Sequence, residues 1–448
     1  MIPFRFLHAA DLHLDSPFKG VADVPAAVRR HIRESTFRAL GNLTGIAIRE
    51  RVRFVLVSGD IYDLADRSLS ARFRFGEAAE ELERHGIKLY VIHGNHDPLE
   101  SGRETEWPRN VHVFGSGKVE TVIHRDESGR PLASISGISY DRPAVHDNLV
   151  PLFPKPDPSV YSIAMLHTNA DGDRSHDNYA PCAKEELIRA GYHYWALGHI
   201  HARQVLHETP HIVYPGNIQG RSVKETGSKG CYVVDVGAGG ETKLSFHPAD
   251  AVRWERREIP IGDLGAWQDL TDRLEREMAV LQEEHGGMPV IVRFVLSGRG
   301  PLHRLLQEGR VLQETVAGLR DEAARQAESG GSFVWIESCR VQTGAPVPVD
   351  ALMEQASFAG DLLRLSEKLL ADEEALREFC GAALAPLAGN IRAGKYLQSF
   401  SAEDWRRLLM AARELAVGEL AAEGAAGEGF AADQPFGGDH AGKAGGAE

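Results

Sequence analysis

One local event recurs along this chain and restricts its fold more than any other feature. A short β-branched or aromatic run stops, and the next residues are Asp, His or Asn. Phe4–Ala9 is followed by "ADLHLD" (10–15), Phe54–Val57 by "SGDIYD" (58–63) and Leu89–His93 runs into "HGNHDP" (93–98). Further on, Ile163–Leu166 leads into "LHTNADGD" (166–173) and Tyr194–Leu197 into "LGHIHA" (197–202). Helical segments separate the early runs. Val24 to Arg51 places Ile32, Leu40, Leu43, Ala47 and Ile48 near helical spacing, and a second helix spans about Ala71 to His85, with Gly86 as its cap. Such alternation predicts an α/β layer architecture, which also takes in Val111–Phe114, His211–Tyr214 and Cys231–Val236. Ligands bind beyond the carboxyl ends of strands in open α/β sheets, so the five clusters are expected to converge. Gly59, Gly94 and Gly198 precede three of them and suit sharp turns.

Crowded carboxylates and imidazoles repel or waste one another unless something cationic lies between them. Carboxylate oxygens, imidazole nitrogens and one amide oxygen, with no thiolate, suit Mn²⁺, Fe²⁺ or Zn²⁺ better than a sulfur-selected metal. Asp11, His13, Asp60, Asn95, His167, His199 and His201 are more donors than one ion needs. They fit two ions about 3.5–4 Å apart sharing a carboxylate. Asp15 and Asp63 read either as further ligands or, at least equally well, as loop-capping carboxylates, and are left out of the metal set. His8, His93, His112, His124, His176, His193 and His207 read as ordinary core or surface histidines, and Asp171 and Asp173 as part of a turn.

Beyond residue 250 the text changes. Trp254–Ile259, Leu264–Glu284, Val290–Leu296, Leu302–Gln326 and Phe333–Val341 read as strand, helix, strand, helix, strand, an α+β unit over 251–345. Prolines in "TGAPVPVD" mark a linker, and 346–417 reads as helices only. The stretch 418–448 is Gly/Ala-rich with six acids against Lys443 alone, which predicts disorder. The formal charge is −14, of which that tail carries −5. An acidic balance argues against binding nucleic acid through a general basic surface. Cys182, Cys231, Cys339 and Cys380 lie far apart, which excludes a zinc knuckle and a disulfide framework. There is no long apolar span and no export signal, so a cytoplasmic protein without membrane contact is expected.

The ordered set DLH, GDIYD, GNHD, a lone His and GHIH resembles the calcineurin-type metallophosphoesterases. Within them, "HAADLHLDSP" and "YPGNIQGRSVKETGSKGC" (214–231) resemble the SbcD and YhaO exonuclease branch. That resemblance covers about residues 2–250 and implies a two-sheet sandwich flanked by helices (1–250), followed by a capping domain and a helical partner-binding region. It implies one metal held by Asp11, His13, Asp60 and His201 and another by Asp60, Asn95, His167 and His199, with Mn²⁺ the expected ion. It also implies in-line attack of water on phosphorus, His96 as transition-state donor and acid, and Asp97 fixing the His96 ring. The substrate implied is DNA, cut by exonuclease and single-strand endonuclease action in repair. The implied partners are an SMC-like coiled-coil ATPase (SbcC/YhaN type) and a second copy of the chain, as a homodimer. "LLRLSEKLL" (362–370) is a possible docking surface, with a self-contained helical subdomain the alternative. Ser222 departs from the pattern, since many YhaO-like chains carry His there.

The metal motifs alone leave the substrate open. Arg67, Arg72 and Arg74, and Arg221, Lys224 and Lys229, are candidate phosphate contacts, each equally readable as part of a solvated face. A phosphatase or phosphodiesterase for small or protein phosphoesters is the alternative function, and a non-catalytic scaffold a third.

Overall fold

A computed structural model describes residues 1–16, 18, 24–63, 69–99, 107–173, 176–390, 394, 397 and 400–428. For 421–428 it describes the backbone only. Arg67 and residues 429–448 of the acidic tail lie outside this set.

Strand β1 (Phe4–Ala9) pairs in parallel with β2 (Phe54–Ser58), which continues through β3 (Lys88–Ile92) to β4 (Val111–Val113). The second sheet contains β5 (Glu120–Arg125), β6 (Pro131–Gly137), β7 (Tyr161–His167), β8 (Tyr194–Gly198), β9 (Gln204–Glu208) and β10 (His211–Tyr214). Its order is β5-β6-β7-β8-β10-β9, with β6, β7, β8 and β10 parallel. β11 (Gly230–Val236) and β12 (Thr242–Pro248) return to the first sheet and pair antiparallel beside β1, giving β12-β11-β1-β2-β3-β4.

The central strands are continuous apolar runs because both their faces are buried. Side-chain alternation splits each run between two cores. Phe4, Phe6, Phe54, Leu56, Tyr90 and Ile92 face the other sheet and meet Ile135, Tyr161, Ile163, Met165 and Tyr194. The intervening Leu7, Ala9, Val55, Val57, Leu89 and Val91 face Leu40, Leu43 and Ala47 of α1 (Ala26–Arg49) and Phe75, Ala79 and Leu82 of α2 (Leu69–Arg84). On the far side, Ala164, Leu166, Trp195 and Leu197 pack with Leu187 of α3 (Lys184–Arg189) and Tyr192. The architecture is thus helix, sheet, sheet, helix, as expected. Phe6 ties the layers together: its ring stacks on Phe54 with centroids 5.3 Å apart and meets the edge of Tyr194 at 5.2 Å.

A third sheet, β13-β14-β15, consists of Arg253–Pro260, Val290–Arg299 and Val334–Gly344, with α4 (Trp267–Glu284), α5 (His303–Glu308) and α6 (Arg310–Glu328). The single helix expected over 302–326 is two helices, because Gly309 adopts φ 73° and ends α5 in a left-handed cap. By compactness the chain divides into two units: Met1–Ile259 with Thr271–Val295 and Arg310–Arg340, and Pro260–Leu270 with Leu296–Gly309 and Val341–Glu448. In the second unit α7 (Val349–Glu354), α8 (Phe358–Ala371), α9 (Glu373–Ala383), α10 (Ala385–Ala388) and a C-terminal helix (Ala402–Glu428) follow the linker. Ser357 and Asp372 cap α8 and α9, and Leu376, Cys380, Trp405 and Leu409 form a small core with Leu369 and Leu370. Part of the apolar "LLRLSEKLL" is therefore spent inside this subdomain, while Leu365 is exposed. The last helix runs past Gly418, where the glycine and alanine content pointed to the end of order.

Phe6→Ala should lower unfolding stability by about 3–5 kcal/mol in urea titration, because the cavity opens between two sheets that cannot collapse onto it. A loss below about 1 kcal/mol would show that the inter-sheet core is not packed as described.

Candidate metal centre

Backbone strain at the strand ends sets the site. Asp11 (φ 52°), His13 (φ 43°), Asp60 (φ 53°) and His199 (φ 100°) all lie in the left-handed region, which non-glycine residues adopt at a cost. The surrounding hydrogen bonds hold them there. The loops after β1 and β2 zip together through Asp11 N–H to Gly59 O (3.1 Å), His13 N–H to Asp60 O (3.0 Å) and Leu14 N–H to Ile61 O (2.9 Å). The His199 N–H donates to Asp11 Oδ1 at 2.9 Å, and the His96 N–H to Asp60 Oδ1 at 2.9 Å. Gly59 takes the sharp turn expected of it, with φ 91°. Gly94 and Gly198 serve close approach instead: an added Cβ would lie 2.3 Å from Asp60 Oδ1 at the first and 1.9 Å from Ser58 O at the second.

All seven expected donors converge. Asp60 Oδ2 lies 3.3 Å from His167 Nε2 and 3.8 Å from His13 Nε2, so one carboxylate oxygen spans the cluster. Asn95 Oδ1 lies 3.0 Å from His167 Nε2 and 3.1 Å from His199 Nδ1. His13 Nε2 and His201 Nε2 are 3.1 Å apart. Asp11 groups with His13 and His201 on one side and with Asp60 and His167 on the other.

The outer nitrogens of the four rings decide what the inner ones can be. His13 Nδ1 donates to Asp63 Oδ1 (3.1 Å), His201 Nδ1 to Glu225 Oε1 (2.8 Å), His167 Nδ1 to Ser58 O (2.9 Å) and His199 Nε2 to Asp177 O (2.7 Å). A neutral imidazole has one hydrogen, so the inward nitrogens of His13, His199 and His201 present lone pairs. Burial keeps His13 and His201 neutral by lowering both pKa values, and pushes His199 down to about 3. The facing nitrogens of His13 and His201 therefore repel, and a cation is what would make the pair favourable. His167 shows the same demand. Burial alone would lower its pKa, but the charge of Asp60 outweighs burial and raises it to about 9, so this position favours positive charge. Burial raises Asp11, whereas His167, followed by His13 and His96, overcomes burial at Asp60 and holds it well below the carboxylate range. These residues fit divalent cations.

The outer shell corrects one expectation. Asp97 does not fix the His96 ring: its carboxylate accepts the N–H groups of Asp60 (3.2 Å), Ile61 (2.8 Å) and Gly94 (2.8 Å), clamping the β2 and β3 loops together. Asp63, outside the expected metal set, holds His96 through Nδ1 at 2.6 Å. The same carboxylate also accepts from Ser16 and His13. Burial opposes protonation of His96, but the Asp63 hydrogen bond and the charges of Asp60 and Asp63 outweigh it and raise its pKa. Its side chain is 45% exposed, at the mouth of the cluster.

Sequence spacing offered no sign of Glu225. It sits in the loop after β10, where its Oε2 also accepts from Asn217 Nδ2 (2.9 Å) and the Arg221 N–H (2.8 Å). His176, read as ordinary, packs its ring 4.9 Å from His201 and 5.4 Å from His199. Lys229 turns inward, Nζ donating to His201 O at 3.1 Å, while Arg72, Arg74 and Lys224 are exposed. Asp171 caps the start of α3 by accepting the Lys184 N–H at 2.9 Å, consistent with a turn. His8 and His124 are core rings bonded to Tyr194 and Tyr90.

Comparison with known proteins agrees with this arrangement. Residues 4–203 match the family model of calcineurin-like phosphoesterases, and 254–344 match the middle domain of metallophosphoesterase YhaO. The chain is 40% identical over 333 residues to an uncharacterised metallophosphoesterase, YhaO, of Bacillus subtilis, covering 74% of this chain and 79% of the relative. It is 26% identical to the DNA double-strand break repair protein Mre11 of Sulfolobus acidocaldarius, over 45% of this chain and 50% of that one. For Mre11 of Aeropyrum pernix the identity is 23%, over 68% and 76%. By its likeness to YhaO and its match to the family model, the chain belongs to the calcineurin-like metallophosphoesterases, hydrolases of phosphoester bonds. Among the described residues no helix is long and apolar enough to cross a membrane.

Glu225→Gln should weaken divalent-ion binding about 10–100-fold in calorimetry, because a carboxylate that fixes a ligand's tautomer and raises its basicity is replaced by a neutral amide. An unchanged affinity would remove Glu225 from the centre.

Proposed function

We propose that this protein is a two-metal DNA nuclease, Mn²⁺-dependent, that hydrolyses phosphodiester bonds in repair together with an SMC-like coiled-coil ATPase. The observation that carries the phosphoesterase part is the 3.1 Å contact between His13 Nε2 and His201 Nε2, two neutral acceptors with no hydrogen to share. DNA as substrate is supported by the likeness to proteins named for double-strand break repair.

Asp11, His13, Asp60 and His201 would hold one ion, and Asp60, Asn95, His167 and His199 the other. When bound, such ions supply charge for the phosphoryl oxygens and lower the pKa of the attacking water. The rest falls to the chain. His96, hydrogen-bonded through Nδ1 to Asp63, keeps Nε2 for the substrate, and its raised pKa favours the protonated ring that can give a proton to the leaving oxygen. Asp63 sets the ring's direction. Asp97 keeps the β2 and β3 loops in register, so Asp60 and Asn95 stay opposed. A formal charge of −14 argues for DNA contact local to the centre rather than over a broad basic face.

The test is Mn²⁺-loaded protein on end-labelled linear duplex and single-stranded circles, beside Asp60→Asn and His96→Ala. Wild type should cut, His96→Ala should lose about 10²–10⁴-fold in kcat with ions still bound, and Asp60→Asn should lose ion binding. Turnover of nitrophenyl phosphate with intact DNA would favour the small-phosphoester reading. Equal cleavage by all three proteins would overturn the assignment.

A further inference from the structure

We propose that Arg221 binds a phosphoryl oxygen of the scissile phosphodiester and is a substrate-binding residue of the centre. The inference deepens the phosphodiesterase reading above and rests on it. The guanidinium stands between two carboxylates without spending its donors on either. Its Nη1 is 3.6 Å from Asp63 Oδ2 and its Nη2 3.6 Å from Glu225 Oε1, distances of charge attraction rather than hydrogen bonding. Nη2 also lies 3.5 Å from His201 Nδ1, but that nitrogen carries the hydrogen given to Glu225 and cannot accept. Nε is buried and has no hydrogen-bond partner among the described residues. A planar fork of five N–H donors is thus held 17% exposed, with its Nε without a partner among the described residues and its terminal nitrogens only loosely engaged.

Placement gives that capacity a use. Asp63 holds His96 Nδ1 on Oδ1 and attracts Arg221 on Oδ2, so the imidazole and the guanidinium flank one carboxylate and can address one phosphate. Asp63 and Glu225 balance the charge of the guanidinium without saturating its donors, and a phosphodiester oxygen is an acceptor those donors suit. The backbone of Arg221 is pinned by its own N–H to Glu225 Oε2, so loop and guanidinium move as one. The other basic residues of this loop do not compete, since Lys229 is turned inward onto His201 O and Lys224 is exposed.

The experiment uses the full chain loaded with Mn²⁺, comparing wild type, Arg221→Met and Arg221→Lys. Bis-nitrophenyl phosphate and linear duplex are the substrates, and inorganic phosphate binding is followed by calorimetry. Arg221→Met should raise KM for both substrates and the Kd for phosphate about 10–100-fold, with a smaller change in kcat, while two ions remain bound. Arg221→Lys should recover part of this, as a point charge without the fork. Unchanged KM and phosphate affinity would overturn the proposal. So would a loss that tracks loss of bound ions, which would make Arg221 a brace for Asp63 and Glu225. A defect on duplex alone would place the contact at a neighbouring phosphate and equally overturn it. Wild-type protein that cleaves the small diester but not duplex would remove the DNA reading and leave this test standing, and phosphate binding reports on Arg221 even without turnover.

Discussion

Two neutral imidazoles that face each other with lone pairs constitute the interaction on which the rest of this structure turns. With the outer hydrogens given to Asp63 and Glu225, His13 Nε2 and His201 Nε2 approach within 3.1 Å lone pair to lone pair. This approach is imposed from outside the cluster, by Asp63 and Glu225 taking the opposite hydrogens and by buried loops that leave the rings no other place. The same imposition appears at Asp60, where a carboxylate 1% exposed is kept ionised by its histidine neighbours. A fold that keeps such a cluster assembled stores unfavourable electrostatics that an incoming cation relieves.

The sandwich makes this strain affordable. Strands β1, β2, β3, β7 and β8 are buried on both faces, so their ends are fixed by side chains in two separate cores. Left-handed residues at Asp11, His13, Asp60 and His199 then become the way the chain leaves a rigid strand and points a donor across the edge. Asp97 works in the same sense: an acid beside the cluster yet spent entirely on backbone N–H groups and His93, holding one loop to the next.

How much could be read from the sequence follows from where the free energy is local. β1 and β10 have the expected boundaries, with β10 set off by Pro210 and Pro215. β5, β9 and β12 were missed because they are half-exposed sheet margins, where polar residues alternate with apolar ones, and β6 because "PLASISG" is built from small residues. The convergence of the seven expected donors was legible because each lies at or just beyond a strand end. The outer shell was not. Asp63 and Asp97 sit at equivalent places in two clusters, and only the folded loops decide that one meets His96 while the other meets backbone. Glu225 belongs to a loop with no strand-end signature, and its role comes from tertiary contact with His201.

The acidity of the chain fits the same logic. A surface of net negative charge repels a polyanion at long range, so productive contact must come from short-range positive charge where the chemistry occurs. Divalent ions held by the cluster, with the Arg221 guanidinium beside them, would supply that charge in a largely buried place where screening by salt is weak. Discrimination therefore falls to the mouth of the site. On the proposed reading a phosphoester would gain from the protein once its phosphorus is within reach of His96, which stands at that mouth.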